Sequence, residues 1–309
     1  MRPAPSRKRA QGDHADGRLW RVHTFADSAP FARHLARLLD VSCATVRLHR
    51  FPDGESLVRV RRPVGTHAIL VRSLHDPNAK LLETVLAGDA LYRAGARRVT
   101  LVAPYLPYMR QDTVFAPGEP VSQRVVGAWL GASFDALYTI ETHLHRVRTL
   151  GAVVPGRAAS LSAAPVIAAW LRATAADTCV VGPDAESESW VRRIAQVAQR
   201  PWLVCRKERL GDRAVRIHLP ARPLGRRAVI VDDIASSGAT LAATARALRR
   251  AGVRVVDAAV VHAIFEPGAI GRIRRAGVRR IVSCDTVPHG TNAIRTAPLL
   301  SSVLRPRAR

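Results

Sequence analysis

Apolar positions along this chain follow two periods that take turns. Short unbroken apolar runs, rich in β-branched residues, predict strands at 19–25, 45–50, 68–71, 99–103, 137–140, 179–181, 202–205, 228–231, 255–264 and 280–283. A further strand is expected near 215–219, and an alternating stretch runs over 58–62. Between them apolar residues recur at helical spacing over 28–39, 78–95, 122–130, 164–172, 189–199, 241–250 and 268–276. The second of these helices carries Leu81, Leu82, Val85, Leu86 and Leu91, with Gly95 as its C-terminal stop. Strands alternating with helices imply a mostly parallel sheet covered on both faces, and two such rounds imply two similar α/β domains. The division is expected at 18–157 and 158–289, with 290–309 packing back on the first domain and 1–17 forming a disordered basic tail.

In open sheets of this kind ligands bind beyond the carboxyl ends of the strands. Charged residues stand at four of those ends: His143, Asp184, the pair Lys207 and Arg209, and the pair Asp232 and Asp233. The last pair belongs to the most informative stretch, Val229 to Leu241. An apolar strand there runs into two carboxylates, then into Ser236, Ser237, Gly238, Ala239 and Thr240, and then into a helix. A helix N-terminus with small residues offers unpaired N–H groups and a positive dipole end, which suit a phosphate. Carboxylates beside it repel phosphate but accept from sugar hydroxyls or hold a divalent metal. The combination points to a sugar phosphate.

Composition changes this picture little. The 309 residues are 48% apolar and 23% charged, with five per cent aromatics. The formal charge of +24 is carried by arginine, since Lys8, Lys80 and Lys207 are the lysines of the chain. That excess fits an arginine-rich codon usage together with an anionic substrate, and no aromatic–basic stripe argues for nucleic acid. The four cysteines (Cys43, Cys179, Cys205, Cys284) have no CxxC spacing, so neither a zinc site nor a disulfide framework is indicated. No run reaches the roughly eighteen apolar residues a bilayer needs, and a cytoplasmic protein is expected.

Four blocks, in order, resemble the ribose-phosphate pyrophosphokinases, or phosphoribosyl pyrophosphate synthetases. They are Phe51-Pro-Asp-Gly-Glu55, the segment from Pro104 through Arg110-Gln111-Asp112 to Pro120, Glu141-Thr-His143, and Asp232 to Thr240. Gly182-Pro-Asp184 and Lys207-Glu-Arg209 are weaker matches to the family's metal segment and mobile catalytic loop. The resemblance implies two phosphoribosyltransferase-like domains and transfer of the β,γ-pyrophosphoryl group of ATP to the C1 hydroxyl of ribose 5-phosphate. It implies that Phe51, Asp53, Glu55, Arg110, Gln111, Asp112 and His143 bind ATP, and that His143 and Asp184 hold Mg²⁺. Lys207 and Arg209 would clamp the transferred group. Asp232, Asp233, Ser236, Ser237, Gly238, Ala239 and Thr240 would bind ribose 5-phosphate. A homo-oligomer is implied too, its nucleotide pocket borrowing residues across a subunit contact.

The chain also departs from the family's pattern. Glu141 stands where Asp is usual, Glu186 and Ser187 replace glycines, and Ser236-Ser237 replaces Asp-Thr. The extra methylene of Glu141 is expected to shift a hydrogen bond on the metal side. These changes suggest a divergent branch. Two rival functions use the same loop: a phosphoribosyltransferase, which would have one domain and lack the Phe-x-Asp-Gly-Glu block, and a non-catalytic regulatory subunit, which would have lost the charged clamp.

Overall fold

The computed structural model describes residues 20–144, 146–174, 177–209, 215–221 and 225–304; the expected tail, 1–17, lies outside them. Among the described residues, two six-stranded sheets form the frame, and every pairing in them is parallel.

The first sheet comprises β1 (Trp20–Thr24), β2 (Cys43–Thr45), β5 (His67–Val71), β6 (Arg98–Ala103), β7 (Ala136–Ile140) and β8 (Arg157–Leu161), in the order β2-β1-β5-β6-β7-β8. A two-stranded hairpin, β3 (Arg47–Arg50) and β4 (Ser56–Arg59), sits between β2 and β5 in the chain. Its helices are α1 (Ala29–Leu39), α2 (Pro77–Arg93) and α3 (Ser122–Ser133).

The second sheet repeats the plan. It comprises β9 (Thr178–Gly182), β10 (Trp202–Val204), β13 (Arg227–Ala235), β14 (Val255–Ala263), β15 (Val278–Cys284) and β16 (Asn292–Ile294), in the order β10-β9-β13-β14-β15-β16. A second hairpin, β11 (Arg206–Arg209) and β12 (Val215–His218), occupies the same place between the second and third strands. Its helices are α4 (Ala164–Arg172), α5 (Glu188–Ala198), α6 (Ala239–Arg250), α7 (Ala269–Arg275) and α8 (Ala297–Val303).

β13 shows why the strands read as unbroken apolar runs. Val229 and Val231 face one core while Ala228 and Ile230 face another, so a strand covered on both sides has no polar phase. The first of these cores is shared. α1, α4, α5 and α8 lie between the sheets, where Leu35, Ile167, Ile194 and Leu300 are fully buried with strand residues of both domains. The outer faces carry α2 and α3 on the first sheet and α6 and α7 on the second.

Several elements differ from expectation. β8 extends the first sheet to Leu161, past the 157/158 division, and its sequence Arg-Ala-Ala-Ser-Leu lacks the β-branched signal of a strand. The segment from 290 divides, β16 joining the second sheet and α8 packing on α1. Lys207 and Arg209, expected in a loop, are strand residues, with Lys207 opposite Ile217. The face of α2 also differs, because Leu82 and Leu86 are 50% and 38% exposed while Lys80 and Glu83 are buried. The interior of α2 is given to an ion network: Glu83 accepts from Arg72 at 2.7 Å, and Arg72 also reaches Asp27 at 3.3 Å.

Candidate functional site

The central stretch folds as its composition suggests. β13 continues through Asp232 and Asp233, and Gly238 caps α6 at φ +72°. Only glycine fits there: a Cβ would meet Ile273 of α7 at 2.8 Å, besides the strain of a left-handed backbone. The N–H groups of the first turn of α6 therefore open into a cleft. Arg272 of α7 donates to the carbonyl of Ser237, and Ser236 donates to Glu266 at 3.2 Å.

That cleft, of about 380 Å³, is lined from both domains. The segment directly after β7 supplies Glu141 and His143, and the Pro-rich loop after β6 supplies Arg110. Asp184 follows β9, Lys207 lies on β11, and Asp232 to Thr240 bring the end of β13 and the start of α6. In the second sheet this is where the chain reverses direction from β9 outward, the switch point at which ligands settle in such sheets. Trp190 and Ser189 of α5 close the rim.

The polar groups are paired across the cleft. His143 Nδ1 lies 2.5 Å from Asp233 Oδ2, joining the domains, and Lys207 Nζ donates to Asp184 Oδ2 at 3.2 Å. Burial pushes Asp232 well above the usual carboxylate range, helped by the charges of Asp233 and Asp184. Burial acts the same way on Asp233, yet the His143 hydrogen bond and charge outweigh it and hold that carboxyl below its ordinary value. Two adjacent carboxyls are thus driven apart, one toward the neutral and one toward the ionised form.

An adjoining cavity of about 680 Å³ shares Arg110, Thr142, His143 and Ile234 with the cleft and adds Gln111, Tyr105, Tyr108, His75 and Phe265. His262 also lines it, buried, its ring edge-on to Tyr105 with centroids 4.9 Å apart. Its Nε2 lies 3.2 Å from the Glu141 carbonyl, and burial lowers it to about 4.

Not every expected site residue comes to the cleft. Asp112 pairs with Arg146 at 3.4 Å, its side chain 6% exposed, which ties the loop after β6 to the segment after β7. Phe51, Asp53 and Glu55 form the turn of the β3–β4 hairpin and line neither cavity; Phe51 is 40% exposed and Asp53 accepts from the Glu55 amide. The Arg209 side chain lies outside the described residues. Glu141 does not serve the metal side: its carboxylate turns into the domain junction and accepts from Ser162, Ala163 and Trp190. Burial raises its pKa. Among the described residues no three His, Cys, Asp or Glu side chains converge as a metal cage. Sequence reasoning missed Trp190, His262 and Arg272. Each sits inside a helix or strand whose period explains it, and only the fold brings Trp190 to the cleft, His262 to the adjoining cavity and Arg272 to the Ser237 carbonyl.

The family description "N-terminal domain of ribose phosphate pyrophosphokinase" matches residues 21–133, and "phosphoribosyl transferase domain" matches 158–292. The chain is 35% identical to a ribose-phosphate pyrophosphokinase of Methanopyrus kandleri over 278 residues, 88% of this chain and 94% of that one. It is 34% identical to one from Thermococcus kodakarensis, over 82% of this chain and 90% of that protein. The crystal structure of phosphoribosylpyrophosphate synthetase from Mycobacterium smegmatis superimposes with a TM-score of 0.78, covering 92% of this chain and 97% of that one. At 23% identity this last likeness speaks for the fold.

Proposed function

The chain belongs to the ribose-phosphate pyrophosphokinase family and is a ribose-phosphate diphosphokinase, and from that premise we propose how its cleft divides the work. Ribose 5-phosphate sits with its phosphate on the amides and hydroxyls from Ser236 to Thr240, at the N-terminus of α6. Its ring hydroxyls turn to Asp232 and Asp233. ATP enters from the first domain, its phosphates beside Arg110 and His143 and its nucleoside toward the adjoining cavity with Gln111. The C1 hydroxyl oxygen then attacks the β-phosphorus, the bond to the α-phosphate oxygen breaks, and AMP leaves with that oxygen. Such a transfer is governed by positioning and charge neutralisation rather than covalent chemistry.

Lys207 faces the place where the pyrophosphoryl group passes, and its contact with Asp184 holds it there until substrate arrives. Arg209 shares its strand and is assigned the same clamp. Mg²⁺ fits this donor set, because it takes one or two protein groups and fills its shell with phosphate and water. His143 and Asp184 would hold it, and when bound it neutralises the phosphate oxygens. Phe51, Asp53 and Glu55, turned outward on their hairpin, are assigned to the nucleotide of a second copy in a homo-oligomer. The apolar side chains left exposed on α2 and α3, Leu82, Leu86, Val125 and Trp129, supply a surface for that copy.

The observation that carries this assignment is the meeting, in one cleft, of the α6 cradle from the second domain with Arg110 and His143 from the first. Incubation with ATP, Mg²⁺ and ribose 5-phosphate is expected to release AMP together with phosphoribosyl pyrophosphate. Orthophosphate and ADP as products, or no turnover without an added nucleobase, would sink it.

A further inference from the structure

Glu141 is bound more fully than its place beside the cleft requires. Its Oε2 accepts from the Ala163 amide at 2.6 Å, Trp190 Nε1 at 2.8 Å and Ser162 Oγ at 2.9 Å. Its own N–H donates to the Leu161 carbonyl at 2.8 Å, and its carbonyl faces His262 Nε2 at 3.2 Å. The next amide, of Thr142, donates to Ser160 Oγ at 2.8 Å. Glu141 also sits at φ +40°, a left-handed conformation that a non-glycine residue keeps only where its surroundings over-determine it. Two residues later the same backbone presents His143 to Asp233.

Trp190 is the far end of this arrangement. It belongs to α5, which starts directly after the short turn Ala185–Ser187, and it lines the cleft beside Glu186, Ser187 and Ser189. The Glu141–Trp190 hydrogen bond therefore ties the end of β7, in the first sheet, to the helix that carries one rim of the cleft in the second domain. An aspartate at 141 would be shorter by one C–C bond, about 1.5 Å. It could not hold the Ala163 amide and the Trp190 indole together.

Building on the site assignment above, we propose that Glu141 and Trp190 act as one positioning device, setting the separation between His143 and the Asp184–Ser189 rim at which the transferred group is held. Neither side chain touches the reacting atoms. Both act through the backbone they fix.

The test uses Trp190→Phe, which keeps the aromatic packing and removes the N–H donor, Glu141→Asp, and the double variant. Each single change is expected to lower kcat about ten-fold, equivalent to ~1.4 kcal/mol of barrier, with the KM for ribose 5-phosphate nearly unmoved. Residues acting as a unit are not additive, so the double variant is expected to match the worse single one. Trp170→Phe, which alters an aromatic of α4 outside the cleft lining, serves as packing control and is expected to leave kcat unchanged. An unchanged kcat in Trp190→Phe would overturn the device, as would multiplying losses in the double variant or an equal loss in the Trp170→Phe control. Absence of AMP release by the unaltered protein would instead overturn the site assignment itself.

Discussion

The proposed function gives Lys207 and Asp233 opposite tasks, and their variants separate them. Lys207→Ala removes the cation proposed to act on charge developing in the transition state. Turnover is expected to fall by roughly 10²–10³, the range for losing one preorganised donor, while ribose 5-phosphate affinity, measured by calorimetry, stays close to the original. Equal losses in both would place Lys207 on the substrate's ground state instead. Asp233→Asn acts on the carboxylate that pairs with His143 and to which the sugar hydroxyls are assigned in the proposed function. A several-fold rise in the KM for ribose 5-phosphate is expected, and a change confined to the KM for ATP would show that the loop is wrongly assigned. Because Asp233 is held below the ordinary carboxylate value, its negative charge persists as pH falls to that lowered value and is lost only beneath it. Neighbouring Asp232 behaves in the opposite sense, staying neutral above the pH at which a solvent-exposed aspartate ionises.

The two hairpins occupy equivalent places in the two domains, and β3–β4 is held beside its turn. β3–β4 is moored to α2 through Glu83, whose Oε1 accepts from Arg50 at 2.9 Å and from Ser56 at 3.1 Å, the residues flanking the Phe51–Glu55 turn. Arg50 is 57% exposed, so Arg50→Gln leaves the interior intact while loosening the hairpin. Combined with Ser56→Ala, it is expected to raise the KM for ATP more than that for ribose 5-phosphate in initial-rate measurements. Glu83→Gln is a harsher change, since it leaves Arg72 buried without its closest carboxylate. Breaking such a pair costs about 3–5 kcal/mol, which a denaturant titration would detect. In the cleft itself, Gly238→Ala combines a left-handed backbone with a Cβ 2.8 Å from Ile273. It should lower both the melting temperature and ribose 5-phosphate affinity, whereas a silent Gly238→Ala would mean that the cap of α6 rearranges freely.

Across the whole molecule the shared core between the sheets decides behaviour. Leu35, Ile167, Ile194 and Leu300 pack with strand residues of both domains, so neither half retains its interior if the other unfolds. Differential scanning calorimetry is expected to show one transition, and two resolved transitions would contradict a common core. Acid sensitivity follows from burial on the same scale. His23, His67 and His262 are all lowered from 6.5 to about 4, chiefly by desolvation. Between those values the unfolded chain takes up protons that the folded protein refuses, so stability falls as pH drops through this window. The melting temperature is expected to decline from pH 6.5 toward 4, and less steeply in His67→Gln; an unchanged slope would remove His67 from the account.

Legibility differed in kind along the chain. The alternation of strands and helices, the α6 cradle and the residues at the strand ends could be read because local propensity, period and turn chemistry all act over a few neighbours. β8 and β16 escaped because their small or few residues carry no period, and β11, the partner of the expected strand near 215–219, escaped because a charged strand resembles a solvated loop. The exposure of Leu82 and Leu86, the inward turn of Glu141, and the approach of Trp190 to the cleft and of His262 to the adjoining cavity could not be read at all. The first follows from the ion network buried beneath α2, and the others from how the two domains face each other. Amino-acid order alone determined the elements and the chemical types at the strand ends, because those are short-range matters; which of these groups meet, and at what distance, was decided only when the two sheets closed on their common core.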